Sequence, residues 1–171
     1  MPEILGTLSL DWDDENDCQR SAQALAGVPC VWEALITIEG PLGAGKTTWV
    51  RHLLHALGVT GRIKSPTFAL METYPGRKGP IAHLDFYRFE RPTDWEDAGM
   101  REILLQPGLK LVEWPSKARG LPTPDLHAHI ELLQPDEGPE SQAEHPRLVQ
   151  VGAYTPCGLQ LMQALGAVSC A

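Results

Sequence analysis

ALITIEGPLGAGKTTWVRHLLHALG, residues 34–58, is the stretch whose reading decides the fold. Ala34 to Glu39 is a short apolar run rich in β-branched residues, as in a buried strand. It feeds into a glycine loop that satisfies GxxxxGK[ST] in full, from Gly40 to Thr47. Glycines at these intervals let the backbone curl so that its N–H groups turn inward, making a cradle for phosphate oxygens. From Lys46 the pattern is helical, with Val50, Leu53, Leu54 and Leu57 at i, i+3, i+4 and i+7 before Gly58. The start of that helix adds the positive end of its dipole. The strand–loop–helix context predicts that Gly40, Gly43, Ala44, Gly45, Lys46, Thr47 and Thr48 bind nucleotide. Lys46 supplies a mobile cation to the β- and γ-phosphates, and the Thr47 hydroxyl is positioned for Mg²⁺.

Downstream, Lys64 to Thr67 reads as a loop, because Pro66 forces its predecessor to be extended. Phe68 to Tyr74 and Ile81 to Asp85 read as strands, a hairpin turning through Pro75 to Pro80. Thr93 to Leu105 reads as a helix interrupted at Gly99, and Leu109 to Glu113, Ala128 to Leu133 and Leu148 to Val151 as strands. Upstream, residues 7–10 suggest a strand and residues 14–26 a helix that begins in acids; residues 158–165 suggest a closing helix. The expected architecture is one α/β domain over residues 1–171. It is P-loop NTPase-like, with a mostly parallel central sheet flanked by helices and a hairpin as its antiparallel component. The Pro/Glu/Gly-rich stretch 134–146 reads as a mobile surface loop.

Ligands of open α/β sheets bind beyond the carboxyl ends of the strands, and two strands end there in acids, Asp85 and Glu113. Mg²⁺ keeps several waters, so one or two carboxylates beside Thr47 suffice. Glu113 is the first choice for the metal, direct or through water, and Asp85 for orienting water or supporting the ligands. Spacing alone leaves the direct ligand open. Ser65 and Thr67 lie where a γ-phosphate-sensing switch loop would fall, although a plain turn explains them too. The chain's single asparagine, Asn16, precedes the loop, so an NKxD guanine-reading element is impossible. ATP is favoured by exclusion.

A net charge of −8 argues against broad nucleic-acid binding, DNA included. The four cysteines, Cys18, Cys30, Cys157 and Cys170, form no CxxC pair, and His52, His55, His127 and His129 lack a third ligand, so no zinc site is expected. With no secretory signature and no membrane-length apolar run, the expectation is a reduced, cytoplasmic protein without a membrane role.

The series GPLGAGKTT (40–48), ALG (56–58), SPTF (65–68), HLDFYR (83–88) and VEWP (112–115) resembles the TsaE family, formerly called YjeE. Pro41 stands where that family commonly has Asp. The resemblance implies a Mg-dependent P-loop ATPase required for threonylcarbamoyladenosine formation on tRNA. It would dock on and reset a TsaB–TsaD complex, touching tRNA only indirectly. It implies catalytic roles for Lys46, Asp85 and Glu113, Mg²⁺ at Thr47 and Glu113, a switch loop at Ser65 and Thr67, and Trp114 beside the nucleotide. The resemblance also implies Glu15 close to the adenine. A small-molecule kinase or a non-catalytic nucleotide sensor would share the loop, and Arg88 is more simply a surface ion-pair former than a catalytic cation.

Overall fold

A computed structural model of the chain describes residues 3–133 and 145–169. Most of the stretch read as a surface loop, 134–144, lies outside the described residues. The elements are β1 (Gly6–Trp12), α1 (Glu15–Ala26), β2 (Leu35–Glu39), α2 (Lys46–Ala56), β3 (Met71–Gly76), β4 (Gly79–Asp85), α3 (Asp94–Asp97), α4 (Met100–Leu105), β5 (Leu109–Glu113), β6 (Leu126–Leu132), β7 (Arg147–Ala153) and α5 (Pro156–Ser169). Asp14 caps α1 by accepting the Asp17 amide at 3.1 Å, with Glu15 and Asp17 at the positive end of the helix dipole.

All seven strands form one sheet in the order β1-β7-β6-β2-β5-β4-β3. β6, β2, β5 and β4 run parallel, whereas β1, β7 and β3 add antiparallel edges. The sheet is therefore mixed rather than mostly parallel. β6 and β7 have no crossover helix between them among the described residues, so they pair antiparallel, and β1 returns from the opposite end of the chain to extend that edge.

Strand alternation separates two cores. Ile36, Ile38, Ile81, Leu109 and Leu111 pack beneath α1, α2 and α5. Leu35, Ala82, Leu84 and Val112 face the other way, onto Trp95, Met100 and Leu104 of the short α3–α4 pair. Gly99, in the left-handed region at φ 74°, makes the expected break between α3 and α4.

Two local expectations change. Phe68 to Leu70 form a turn rather than a strand, with Leu70 at φ 66°, so β3 begins only at Met71. The cysteines are not all free: Cys30 and Cys157 form a disulfide across a sequence separation of 127 residues. The fold brings a 3-10 turn at Pro29–Glu33 against the start of α5, a proximity that no sequence spacing announces. Cys18 is a buried free thiol, its pKa pushed up by burial to about 12.

Candidate functional site

Central strands β2, β4 and β5 are buried on both faces and end side by side, placing Asp85 opposite Glu113 in register. In-register neighbours share a face, so both carboxylates point to the side covered by α2. Each is only 2% exposed. The turn from β2 into α2 completes the site. Gly40 lies so close to the Ile130 carbonyl that a Cβ would sit 2.3 Å from that oxygen, and its φ of 146° suits glycine alone. Gly43 and Gly45 also adopt positive φ. α2 starts without a side-chain cap, leaving its first amides to the cleft and favouring an anion there.

Lys46 is 5% exposed. Its Nζ donates to the Gly40 and Pro41 carbonyls at 2.6 and 2.9 Å and lies 3.9 Å from the centre of the Trp114 ring. Burial pulls the ammonium below the ordinary lysine pKa, while Glu113, Glu39 and Asp85 pull it back up. Thr47 Oγ1 donates to the Glu113 carboxylate, 2.9 and 3.0 Å from its two oxygens. Asp85 Oδ2 accepts from Ser65 and Thr67, both at 2.8 Å, and its Oδ1 accepts the Tyr87 amide at 2.9 Å. That carboxylate thereby ties the Ser65–Thr67 loop to the end of β4.

These groups converge on a cavity of about 370 Å³ lined by Lys46, Thr47, Asp85, Glu113, Trp114 and Arg147, together with Gly43, Gly45, Thr48, Ser65 and Thr67. Apart from Glu15, every residue expected at the site is in that lining except Gly40 and Ala44, which support it from behind. Gly40 accepts the Lys46 ammonium, and buried Ala44 accepts Arg147 Nε at 2.7 Å through its carbonyl. A smaller neighbouring cavity of about 90 Å³ is bounded by Trp12, Glu15, Cys18, Gly45, Thr48 and Arg147. Glu15 shares that cavity with Gly45 and Thr48 of the loop and the start of α2.

Sequence reasoning missed two residues. Arg147, at the start of β7, borders both cavities and grips the loop from 103 residues away. His83 is fully buried and lies 2.8 Å from Glu113 through Nε2. Its signal was present, two residues before Asp85 on the same strand face, but pointed as readily to a core position.

The oxygen donors suit a hard cation: a hydroxyl and a carboxylate sit together, and Mg²⁺ completes such a site with phosphate oxygens and water. Among the described residues no cluster of three or more His, Cys, Asp or Glu side chains is arranged for a metal. The Lys46 ammonium, folded back on its own loop's carbonyls, has the reach and charge to exchange those acceptors for phosphate.

Fold and cleft together define an α/β protein whose glycine loop opens beside two strand-end carboxylates. The family model described as "Threonylcarbamoyl adenosine biosynthesis protein TsaE" matches residues 12–142. The chain belongs to the TsaE family. Among its relatives, the tRNA threonylcarbamoyladenosine biosynthesis protein TsaE of Haemophilus influenzae is 38% identical over 98 residues, 57% of this chain and 62% of that one. Its Bacillus subtilis namesake is 41% identical over 80 residues, 47% and 49% of the two chains. The Nostoc protein is 37% identical over 121 residues, 65% and 68%. The match therefore spans about half to two thirds of these relatives' length. The crystal structure of Bacillus subtilis YdiB superposes with a TM-score of 0.72 at 24% identity, covering 97% of this chain and 98% of that one, a likeness of fold.

Proposed function

We propose that this protein is a Mg-dependent, ATP-binding and ATP-hydrolysing subunit of the machinery that forms threonylcarbamoyladenosine on tRNA. The observation that carries the nucleotide reading is the contact of Thr47 with Glu113 at the mouth of the glycine loop, beside a buried Lys46 whose ammonium bonds to the Gly40 and Pro41 carbonyls. The names of its relatives support the pathway. By that reading it acts in the cytoplasm, where it docks on a TsaB–TsaD-like pair and resets it between turnovers. Contact with tRNA is indirect, in keeping with the net charge of −8.

The loop amides and Lys46 hold the β- and γ-phosphates, and Thr48 and Arg147 border the side toward Trp12 and Glu15, where the nucleoside extends. Thr47 and Glu113 would hold Mg²⁺, which when bound offsets phosphate charge. Trp114 roofs Lys46 and keeps water from its ammonium. Asp85 holds Ser65 and Thr67 at the γ-phosphate end, so ATP and ADP present the partner with different surfaces at that loop. Lys46 and Arg147 are the basic side chains that line the cleft. With so little cationic help for the transition state, hydrolysis by the isolated protein is slow.

Pull-downs with TsaB and TsaD homologues in ATP, ADP and no nucleotide test the proposal, with phosphate release followed in parallel. Capture that depends on ATP, with release accelerated by the pair, is the expected result. Equal capture in all three conditions contradicts the switch. Repeated modification turnover with a non-hydrolysable analogue would leave a nucleotide sensor in place of an ATPase.

A further inference from the structure

On β4, Ile81, His83 and Asp85 share the face beneath α2. Ile81 joins the core, Asp85 reaches the cleft, and His83 lies between them with no exposed surface. Its Nε2 is 2.8 Å from Glu113 Oε1, whereas Nδ1 is the one buried side-chain nitrogen or oxygen among the described residues without a hydrogen-bond partner. This asymmetry fixes the tautomer. A proton on Nδ1 would be a buried donor with nothing to accept it, and would set the bare Nε2 lone pair against a carboxylate oxygen. With the proton on Nε2, the ring donates to Glu113 and leaves only an unprotonated nitrogen without a partner.

Glu113 ends a flexible side chain, and Thr47 alone does not fix it: the hydroxyl is almost equidistant from the two carboxylate oxygens, at 2.9 and 3.0 Å. His83 breaks that symmetry by claiming Oε1. We propose that His83 is a positioning residue: its Nε2–H pins Glu113 so that the carboxylate stays turned toward Thr47, pre-forming the oxygen pair for a divalent cation. The inference rests on the Mg·nucleotide reading of the cleft and goes further, by assigning a residue outside the cavity lining to cation affinity. Supporting partners of this kind typically change metal affinity by about 10–100-fold.

The test compares wild type, His83→Leu and His83→Gln by calorimetry, with ATP in EDTA and across a Mg²⁺ titration. In EDTA all three bind ATP alike. His83→Leu fills the core without a donor and needs about tenfold more Mg²⁺ for half-maximal enhancement, whereas His83→Gln, whose Nε2–H₂ extends toward the same oxygen, returns to within about threefold of wild type. An unchanged Mg²⁺ requirement in His83→Leu overturns the proposal, as does an equal loss of affinity with and without Mg²⁺, the mark of a merely structural role. Should His83→Leu not fold, long-range ¹H–¹⁵N spectra of the wild type decide: a proton on Nε2 supports the assignment and one on Nδ1 refutes it. Wild type that binds no ATP at all defeats the nucleotide reading instead, a distinct failure.

Discussion

Replacing Lys46 by methionine separates what that residue does for binding from what it does for the fold. Met matches the length of the lysine stem but carries no charge. In the free protein, the Lys46 ammonium makes two hydrogen bonds to loop carbonyls and lies over Trp114, gains that burial offsets by pulling its pKa down. Its loss also leaves Glu113 with its Thr47 and His83 bonds. These opposing effects leave a small net change, and we expect the unfolding free energy to move by less than about 2 kcal/mol in urea titrations. In binding, Lys46 exchanges its two carbonyl acceptors for phosphate, and the variant forgoes the net gain of that exchange, a charge-assisted hydrogen bond of about 1.5–3 kcal/mol. At about 1.4 kcal/mol per tenfold, the Kd for ATP rises by about 10–150-fold. Calorimetry on the folded variant reads this directly. A Lys46→Met protein that melts like wild type and holds ATP equally well would refute the assignment of Lys46 to phosphate.

Arg147→Ala removes the 2.7 Å bond to the Ala44 carbonyl that steadies the glycine loop, and we expect ATP affinity to fall by about tenfold in the same assay; unchanged affinity would reduce Arg147 to a bystander. Cys30→Ser opens a cross-link spanning 127 residues, and chain entropy predicts a loss of about 2–5 kcal/mol in urea unfolding; coincident curves for wild type and variant would show that the two thiols are not joined in solution. His127 is held below the ordinary histidine pKa, first by burial and then by His129, with Glu39 opposing. Between that lowered value and the ordinary 6.5, the unfolded chain binds more protons than the folded one, so stability falls as pH drops through this window. His127→Asn, which keeps a polar partner for Thr37, flattens that slope; an identical pH dependence of thermal unfolding would contradict it.

What was legible in the sequence was local. The GxxxxGK[ST] run fixed β2, its loop and α2 in one reading, and apolar runs ending in acids marked β4 and β5 with Asp85 and Glu113 at their tips. The hairpin of β3 and β4 and the break at Gly99 also followed from turn chemistry. What stayed hidden depends on pairing between distant segments. Nothing near Gly6 says that its strand lies against β7, and so the antiparallel edge escaped the expectation of a mostly parallel sheet. The same distance hid Arg147 behind the loop and the approach of Cys157 to Cys30. Phe68 was misread for another reason. Its β-forming neighbourhood suggests a strand, yet the chain turns there and leaves Phe68 83% exposed, with Arg88 over its ring at 4.0 Å. Propensity yielded to the need to carry Ser65 and Thr67 over Asp85.

On the proposed reading, the turn from Gly40 to Thr47 holds a polyphosphate. A crystal structure grown with Mg²⁺ and a non-hydrolysable ATP analogue tests it most directly. In it, Lys46 Nζ is expected to leave the Gly40 and Pro41 carbonyls for the β- and γ-phosphate oxygens, with the cation beside Thr47 and Glu113. Density for the phosphates anywhere else, with Lys46 still bonded to its own loop, would contradict it.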